Sequence, residues 1–329
     1  LKKCRLRCLD AATGELIWET PFTGSPSWNR QLTPLIWNDL IFYQFSSGTY
    51  TGRNWLFEHQ STFGFPEDQK PIVKAWSLET GKEVWSLDFS NYGHGGDDAG
   101  LCLEDGTLYY SCYFGGKGPT GLTAALLPDS GKIKWLTTKY SVHAGCTPSV
   151  ADGRLYLGGY NPVDVNVSRV EGKTPTEVKV NRVWCLDATN GQLVWKSDPI
   201  ERAIHVVTVA DDKLFTHAQY RQGYLLNMAD GKKLCELTHG YRCTRFTMDG
   251  SYLLGPNMDV IDTARDNTLA STGPAVDVLL CVGAQISNGR LLYTANGSGL
   301  QLSMSYGAEA RTLKFPWLRS NKSKLPIAH

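Results

Sequence analysis

The 329-residue chain has no run of about 18 consecutive apolar residues, so it carries no transmembrane helix signal. It has little charge excess: Lys and Arg total 33, Asp and Glu 32, for a formal net charge of +1. That balance gives no basic surface for nucleic acid and no electrostatic draw toward an anionic membrane. The basic residues near the two ends (Lys2, Lys3, Arg5, Arg7; Arg319, Lys322, Lys324) read as solvated termini. There is no Gly-x-Ser-x-Gly elbow, no His-Glu-x-x-His helix and no phosphate-binding loop, which removes the familiar hydrolase, zinc-protease and nucleotide signatures. Nine cysteines are scattered at 4, 8, 102, 112, 146, 185, 235, 243 and 281, without a Cys-x-x-Cys or an adjacent pair. They read as buried reduced thiols, with a Cys102–Cys112 disulfide across one hairpin as the alternative. Neither an initiating Met nor a signal peptide begins the sequence given, and its first residues already read as a strand inside a repeat.

What is present is a repeat. Leu186-Asp187-Ala188-Thr189-Asn190-Gly191-Gln192-Leu193-Val194-Trp195 recurs at Leu9–Trp18, Leu78–Trp85 and Leu127–Trp135, and once more at Leu226–Cys235 without the Trp. The shared glycines (14, 81, 131, 191 and 231) are 40 to 67 residues apart. Each copy reads as strand, tight turn, strand, with glycine at the positive-φ position. Trp18, Trp85, Trp135 and Trp195 follow their glycine by four residues and are expected to pack between neighbouring sheets. The Cys235 copy predicts a looser seam.

A second hairpin interleaves with the first, at Leu35–Tyr43, Leu101–Tyr110, Ser149–Tyr156, Val207–Phe215, Phe246–Leu253 and Gln285–Tyr293. Several of these turns are Asp-Gly or Asn-Gly, the strongest short-range hairpin signal. Taking this hairpin as strands A and B, and the Trp repeat as strands C and D, gives a four-stranded blade. The fold class is therefore all-β: a β-propeller of four-stranded antiparallel blades, six to eight in number. The propeller spans 1–306, with a tail over 307–329 that has no repeat. If residues 4–20 pair with the C-terminal hairpin the ring closes at about six blades; otherwise it lacks its first strands.

Ala-x-x-x-Gly-x-x-x-Trp turns alternating with Thr147-Pro148-Ser149-Val150-Ala151-Asp152-Gly153-Arg154-Leu155-Tyr156 hairpins resemble the PQQ-like β-propeller repeat over about residues 4 to 306. That superfamily includes quinoprotein alcohol dehydrogenases and an outer-membrane assembly lipoprotein with the same propeller and no cofactor. The resemblance implies export to the periplasm or beyond, although fold alone does not assign function.

Three long insertions are expected as B–C loops: 48–70, 161–181 and 255–273. In an up-and-down blade, A–B and C–D turns share one end, and B–C loops and D–A crossovers the other. The loop-rich end is the expected functional face. Before the inner strands on that end stand His94, Asp97, Asp98, His143, His205, Arg30, Gln31 and Arg245. Arg with His suits a small anion, a sugar acid or a peptide carboxylate. Three His with an Asp suit a metal, and separate histidines bonded to backbone are the third reading.

Two functions stand against each other. One is a non-catalytic scaffold that binds a protein or small-molecule ligand on this face, without cofactor. The other, implied by the resemblance, is an oxidoreductase using pyrroloquinoline quinone and Ca²⁺, for which Asp97, Asp98, Asp259 and Asp262 are candidate carboxylates but no catalytic residue is assigned. A hydrolase or lyase at the His-lined mouth is a third possibility. The sequons at Asn166 and Asn296 are chance matches.

Overall fold

The computed structural model describes residues 5–21, 34–45, 71–92, 99–113, 121–142, 146–168, 176–200, 204–210, 212–218, 223–237, 247–249, 251–254, 260–265, 268–271, 285–287, 290–292 and 313–314. The chain divides into two compact units, 1–207 and 208–329.

In the first unit, β1 (Arg5–Leu9) pairs with β2 (Leu16–Pro21). Three four-stranded antiparallel sheets follow. The first holds β3 (Leu35–Trp37), β4 (Leu40–Phe45), β5 (Ile72–Ser77) and β6 (Glu83–Asp88). The second holds β7 (Ala99–Glu104), β8 (Thr107–Tyr113), β9 (Gly121–Leu126) and β10 (Ile133–Thr137). The third holds β11 (Ser149–Ala151), β12 (Arg154–Ser168), β13 (Thr176–Asp187) and β14 (Leu193–Lys196). The division between the units falls inside β15 (Ile204–Ala210), which heads a sheet with β16 (Lys213–Ala218), β17 (Gly223–Asn227) and β18 (Lys233–Leu237).

The second unit adds a sheet of β19 (Thr247–Asp249), β20 (Tyr252–Leu254), β21 (Val260–Asp262) and β22 (Thr268–Ser271). It ends with β23 (Gln285–Ser287), β24 (Arg290–Leu292) and β25 (Leu313–Lys314). Strand order in every four-stranded sheet follows the chain, as an up-and-down blade requires. The first strand of one sheet lies beside the first strand of the next, β3 with β7, β7 with β11 and β19 with β23. These are the blades of an all-β propeller.

Two expectations change. The stretch read as an insertion over 255–273 contains β21 and β22, so it is the C–D hairpin of that blade. Its turn, Asp262-Thr263-Ala264-Arg265, lacks both the glycine and the Trp by which the repeat was read. Asp262 Oδ1 nonetheless accepts the Ala264 amide at 3.0 Å, as Asp187 Oδ1 accepts the Thr189 amide at 2.8 Å. The stretch 161–181 is largely strand: β12 and β13 continue past the sheet as an arm, pairing Val165–Ser168 with Thr176–Lys179 after a register shift. The segment 48–70 lies outside the described residues. The strand β25 lies within the stretch read as tail.

The Cys102–Cys112 disulfide does not form, and both cysteines are reduced. Cys112 pairs across the ladder with Ala99 and Cys102 with Tyr109, three register steps apart, so the two lie on opposite faces of the sheet.

Three of the four repeat tryptophans end a row running across a four-stranded blade: Phe42–Ala75–Trp85, Tyr109–Ala125–Trp135 and Tyr156–Cys185–Trp195. The B-strand ring lies 5.9 to 6.2 Å from the indole in all three, over a small residue on strand C. In the β15–β18 blade the row is Phe215–Leu225–Cys235. Bulk has moved one strand inward, and Leu225 is fully buried. Cys235→Trp alone should overpack this row by about 1–3 kcal/mol. Adding Leu225→Ala rebuilds the Ala–Trp pair and should recover most of that loss in denaturant unfolding; equal stability of single and double variants would refute the size exchange.

Candidate functional site

Both ends of the first unit's blades can be assigned from backbone hydrogen bonds. At one end the C–D turn donates to the A–B turn of its own blade: Leu78 N–H to the Asp39 carbonyl at 2.8 Å and Ala188 N–H to the Gly153 carbonyl at 3.0 Å. The same tie recurs in the second unit from Met228 to Asp212 and from Thr263 to Ser251, at 3.0 and 2.8 Å. The short turns therefore cluster at one end, and the B–C connections and D–A crossovers leave from the other.

The turn end is built for cohesion. Trp18 Nε1 donates to the carbonyl of Leu78 in the next blade at 3.0 Å. Trp85 does the same to Pro128 at 2.7 Å and Trp135 to Ala188 at 2.9 Å. Each acceptor lies three residues before its turn glycine. The indole then lies against that glycine: a Cβ on Gly81, Gly131 or Gly191 would come within 2.5, 2.7 and 2.6 Å of the Trp18, Trp85 and Trp135 rings. Those glycines also have φ of +66° to +72°. Glu104 adds a second tie between blades, its carboxylate accepting the Asp152 and Gly153 amides at 3.1 Å each. Hydrogen bonds from Thr13 and Thr189 hold the Asp10 and Asp187 carboxyls below their ordinary range, and those from Lys232 do so for Asp230. Burial pushes the Cys185 thiol up to about 12, so it is no nucleophile at neutral pH.

The opposite end is where the crossovers are anchored. After β6, the Phe89 amide donates to the Pro71 carbonyl at 2.9 Å, and the ring of Phe89 stacks on Tyr110 of the next blade at 4.9 Å. A 3₁₀ turn, Ser90–Tyr92, follows, capped by Asp88 Oδ1 accepting the Ser90 amide at 2.7 Å. After β10, two buried hydroxyls do the work. Thr123 Oγ1 donates to the Tyr140 carbonyl at 2.9 Å, and Ser111 Oγ, 2.8 Å from Thr123 Oγ1, accepts the Val142 amide at 2.9 Å. After β14, Ser197 Oγ accepts the Val183 amide at 3.0 Å and donates to the Asp198 carbonyl at 2.9 Å. Arg182 holds the Ser197 carbonyl at 2.6 Å, and the Ile200 amide donates to Asn181 at 2.8 Å. Phe89, Val142 and Ile200 are all buried. Three successive crossovers thus leave their blades through a buried apolar residue fixed by hydrogen bonds, a rigid base for the loops beyond.

His94, Asp97, Asp98, His143, Arg30, Gln31, Arg245 and Asp259 lie outside the described residues. His205 is the second residue of β15, where only the backbone course is described. Asp262 is corrected as a site residue. It is 5 % exposed and occupied within its own turn, accepting from Ser251 Oγ and Ala264 N and pairing with Arg265. It belongs to the turn end of its blade and does not fit the carboxylate of a quinone–Ca²⁺ site. Among the described residues no group of three or more His, Cys, Asp or Glu is placed to hold a metal ion, and no helix is long and apolar enough to cross a membrane. Ser111, Thr123 and Ser197 were not singled out in the sequence. For Ser111 and Thr123 the one signal is a small hydroxyl on a strand otherwise rich in apolar residues, and Ser197 follows β14 with no such signal.

Comparison with known proteins fits this geometry. A structure of BamB from Moraxella catarrhalis shares 18 % identity, with a TM-score of 0.56 over 89 % of this chain and 74 % of that one. The quinohemoprotein alcohol dehydrogenase of Comamonas testosteroni shares 13 % identity, with a TM-score of 0.52 over 87 % of this chain and 59 % of that one. At such identities both show the fold alone. No curated protein sequence matches the chain. A family profile described as outer membrane protein assembly factor BamB matches residues 69–291, more than half of the chain. The chain therefore belongs to that family of PQQ-like repeat β-propellers.

Proposed function

We propose that this protein is a non-catalytic binding or scaffold propeller, exported from the cytoplasm, which takes a protein partner on the end formed by its B–C connections and D–A crossovers. The observation that carries this reading is the anchoring of three successive crossovers by hydrogen bonds, the first from the buried Phe89 to Pro71, the second at Ser111 and Thr123, the third at Ser197. A rigid base lowers the entropy lost when the loops it supports meet a partner. The opposite end spends its tryptophans and its Glu104 carboxylate on holding blades together. Membership of a family described by an assembly factor supports the same reading.

The test places a photo-crosslinking residue at Asn91, Lys139 or Asp198 on the crossover end, and at Thr13, Ser130 or Asn190 on the turn end. All six are exposed. Protein adducts are expected from the first set, and adducts confined to the second would overturn the assignment. The competing oxidoreductase reading is checked in parallel. Pyrroloquinoline quinone with Ca²⁺ should leave the absorbance and intact mass of the protein unchanged, whereas stoichiometric uptake with dye-linked alcohol oxidation would replace the scaffold reading.

A further inference from the structure

The arm on the third four-stranded sheet carries an edge with no strand partner among the described residues. β13 runs from Thr176 to Asp187, but its outer neighbour β14 reaches only Trp184–Leu186. Hydrogen bonds from the following crossover extend the pairing to Val183 and Asn181. From Thr176 to Val180 that side of β13 has no strand partner among the described residues, while its other side is bonded to β12. A two-stranded ribbon is marginal in water by itself, and a free edge is a template for another strand.

Alternation along β13 shows which residues offer their backbone to that edge. Val183 and Asn181 bond outward, to Ser197 and Ile200, so Lys179 and Glu177 follow in the same phase. The free segment reads Thr176-Glu177-Val178-Lys179-Val180. Set antiparallel to itself about Val178, it places Glu177 opposite Lys179 of a second copy, and Lys179 opposite that copy's Glu177. The residues that present N–H and C=O to the edge are thus the ones whose charges match across it. Charge of one sign would guard this edge against pairing; charge of alternating sign makes it complementary to itself.

We propose that two copies of this chain associate through the free β13 edge, antiparallel and centred on Val178, so that two arms form one four-stranded sheet. The contact is isologous, so each pair occurs twice, and it supplies four backbone hydrogen bonds with two opposite-charge pairs. The arm is the B–C connection of its blade, so the contact lies at the same end as the binding face argued above, but it rests on the edge pairing and not on that reading.

Sedimentation equilibrium of the full chain, from roughly 1 to 500 μM at low salt, reads it directly. Wild type is expected to show a concentration-dependent dimer. Lys179→Glu puts two like-charge pairs in the contact and should raise the dissociation constant at least about tenfold. Glu177→Lys should do the same. The exchange Glu177→Lys with Lys179→Glu restores the match and should restore the dimer, and an equimolar mixture of the two single variants should form a heterodimer. Unchanged far-UV circular dichroism of each variant shows that the blade persists. A wild type monomeric across the range, or a Lys179→Glu variant that associates as well as wild type, would overturn the proposal. So would a monomeric wild type that instead binds a Glu-Val-Lys peptide, since the edge would then serve a foreign strand.

Discussion

Trp135→Ala is expected to cost about 3 kcal/mol in denaturant unfolding, near the lower limit for deleting a buried Trp because this indole is only half-buried. Three separate contacts go with it. The ring covers Gly191 of the next blade, lies 6.2 Å from Tyr109 within its own, and its Nε1 donates to the Ala188 carbonyl at 2.9 Å. Trp135→Phe keeps an aromatic ring and gives up the donor. It should lose about 1 kcal/mol for the hydrogen bond and somewhat more for the smaller ring. A Phe variant as damaged as the Ala variant would mean that the ring's packing is not what holds this seam. Amide exchange supplies a second readout: protection should fall at Ala188–Gly191 as well as along β10, because the seam belongs to two blades.

The second large effect is at the glycine beneath that ring. Gly191→Ala is expected to cost about 3 kcal/mol or more, and Gly14→Ala only about 1–2 kcal/mol, although both positions have φ above +70°. The backbone term is common to both. At Gly14 an added methyl meets nothing within 4 Å, whereas at Gly191 it comes 2.6 Å from Trp135 Cε3. The rigid ring and the turn backbone must then move apart. Combining Gly191→Ala with Trp135→Ala removes the collision, so the double variant should be more stable than the sum of the two losses implies. Strict additivity would show that the two side chains do not meet. Equal losses at Gly14 and Gly191 would show that positive φ alone explains the glycine.

These two predictions mark how far the sequence could be read. Strand, turn and strand were legible at Gly14, Gly81, Gly131, Gly191 and Gly231 because positive φ at a tight turn demands glycine locally. The Trp at a fixed offset pointed to sheets packed side by side. The β21–β22 hairpin escaped notice because its turn keeps only the Asp262 cap; glycine and Trp are absent there, so neither local signal was available. The arm escaped for a different reason. An insertion is recognised by its length, and length does not separate a loop from two strands that go on pairing beyond their sheet.

The candidate face was legible only in outline. That B–C connections and crossovers share one end follows from strand order alone. That two of these crossovers are fastened by buried hydroxyls, one by Ser111 and Thr123 and the next by Ser197, does not, because a buried hydroxyl looks like any other serine or threonine until its partner is known. Sequence by itself determined the blade and its repeat, since both follow from period-two alternation and turn chemistry within a few residues. Tertiary structure alone decided which carbonyl each tryptophan reaches, how the Phe215–Leu225–Cys235 row redistributes its bulk, and that Asp262 is spent on a turn. The first two rest on contacts between residues that chain distance does not relate, and Asp262 was decided only once the strands on either side of its turn were placed.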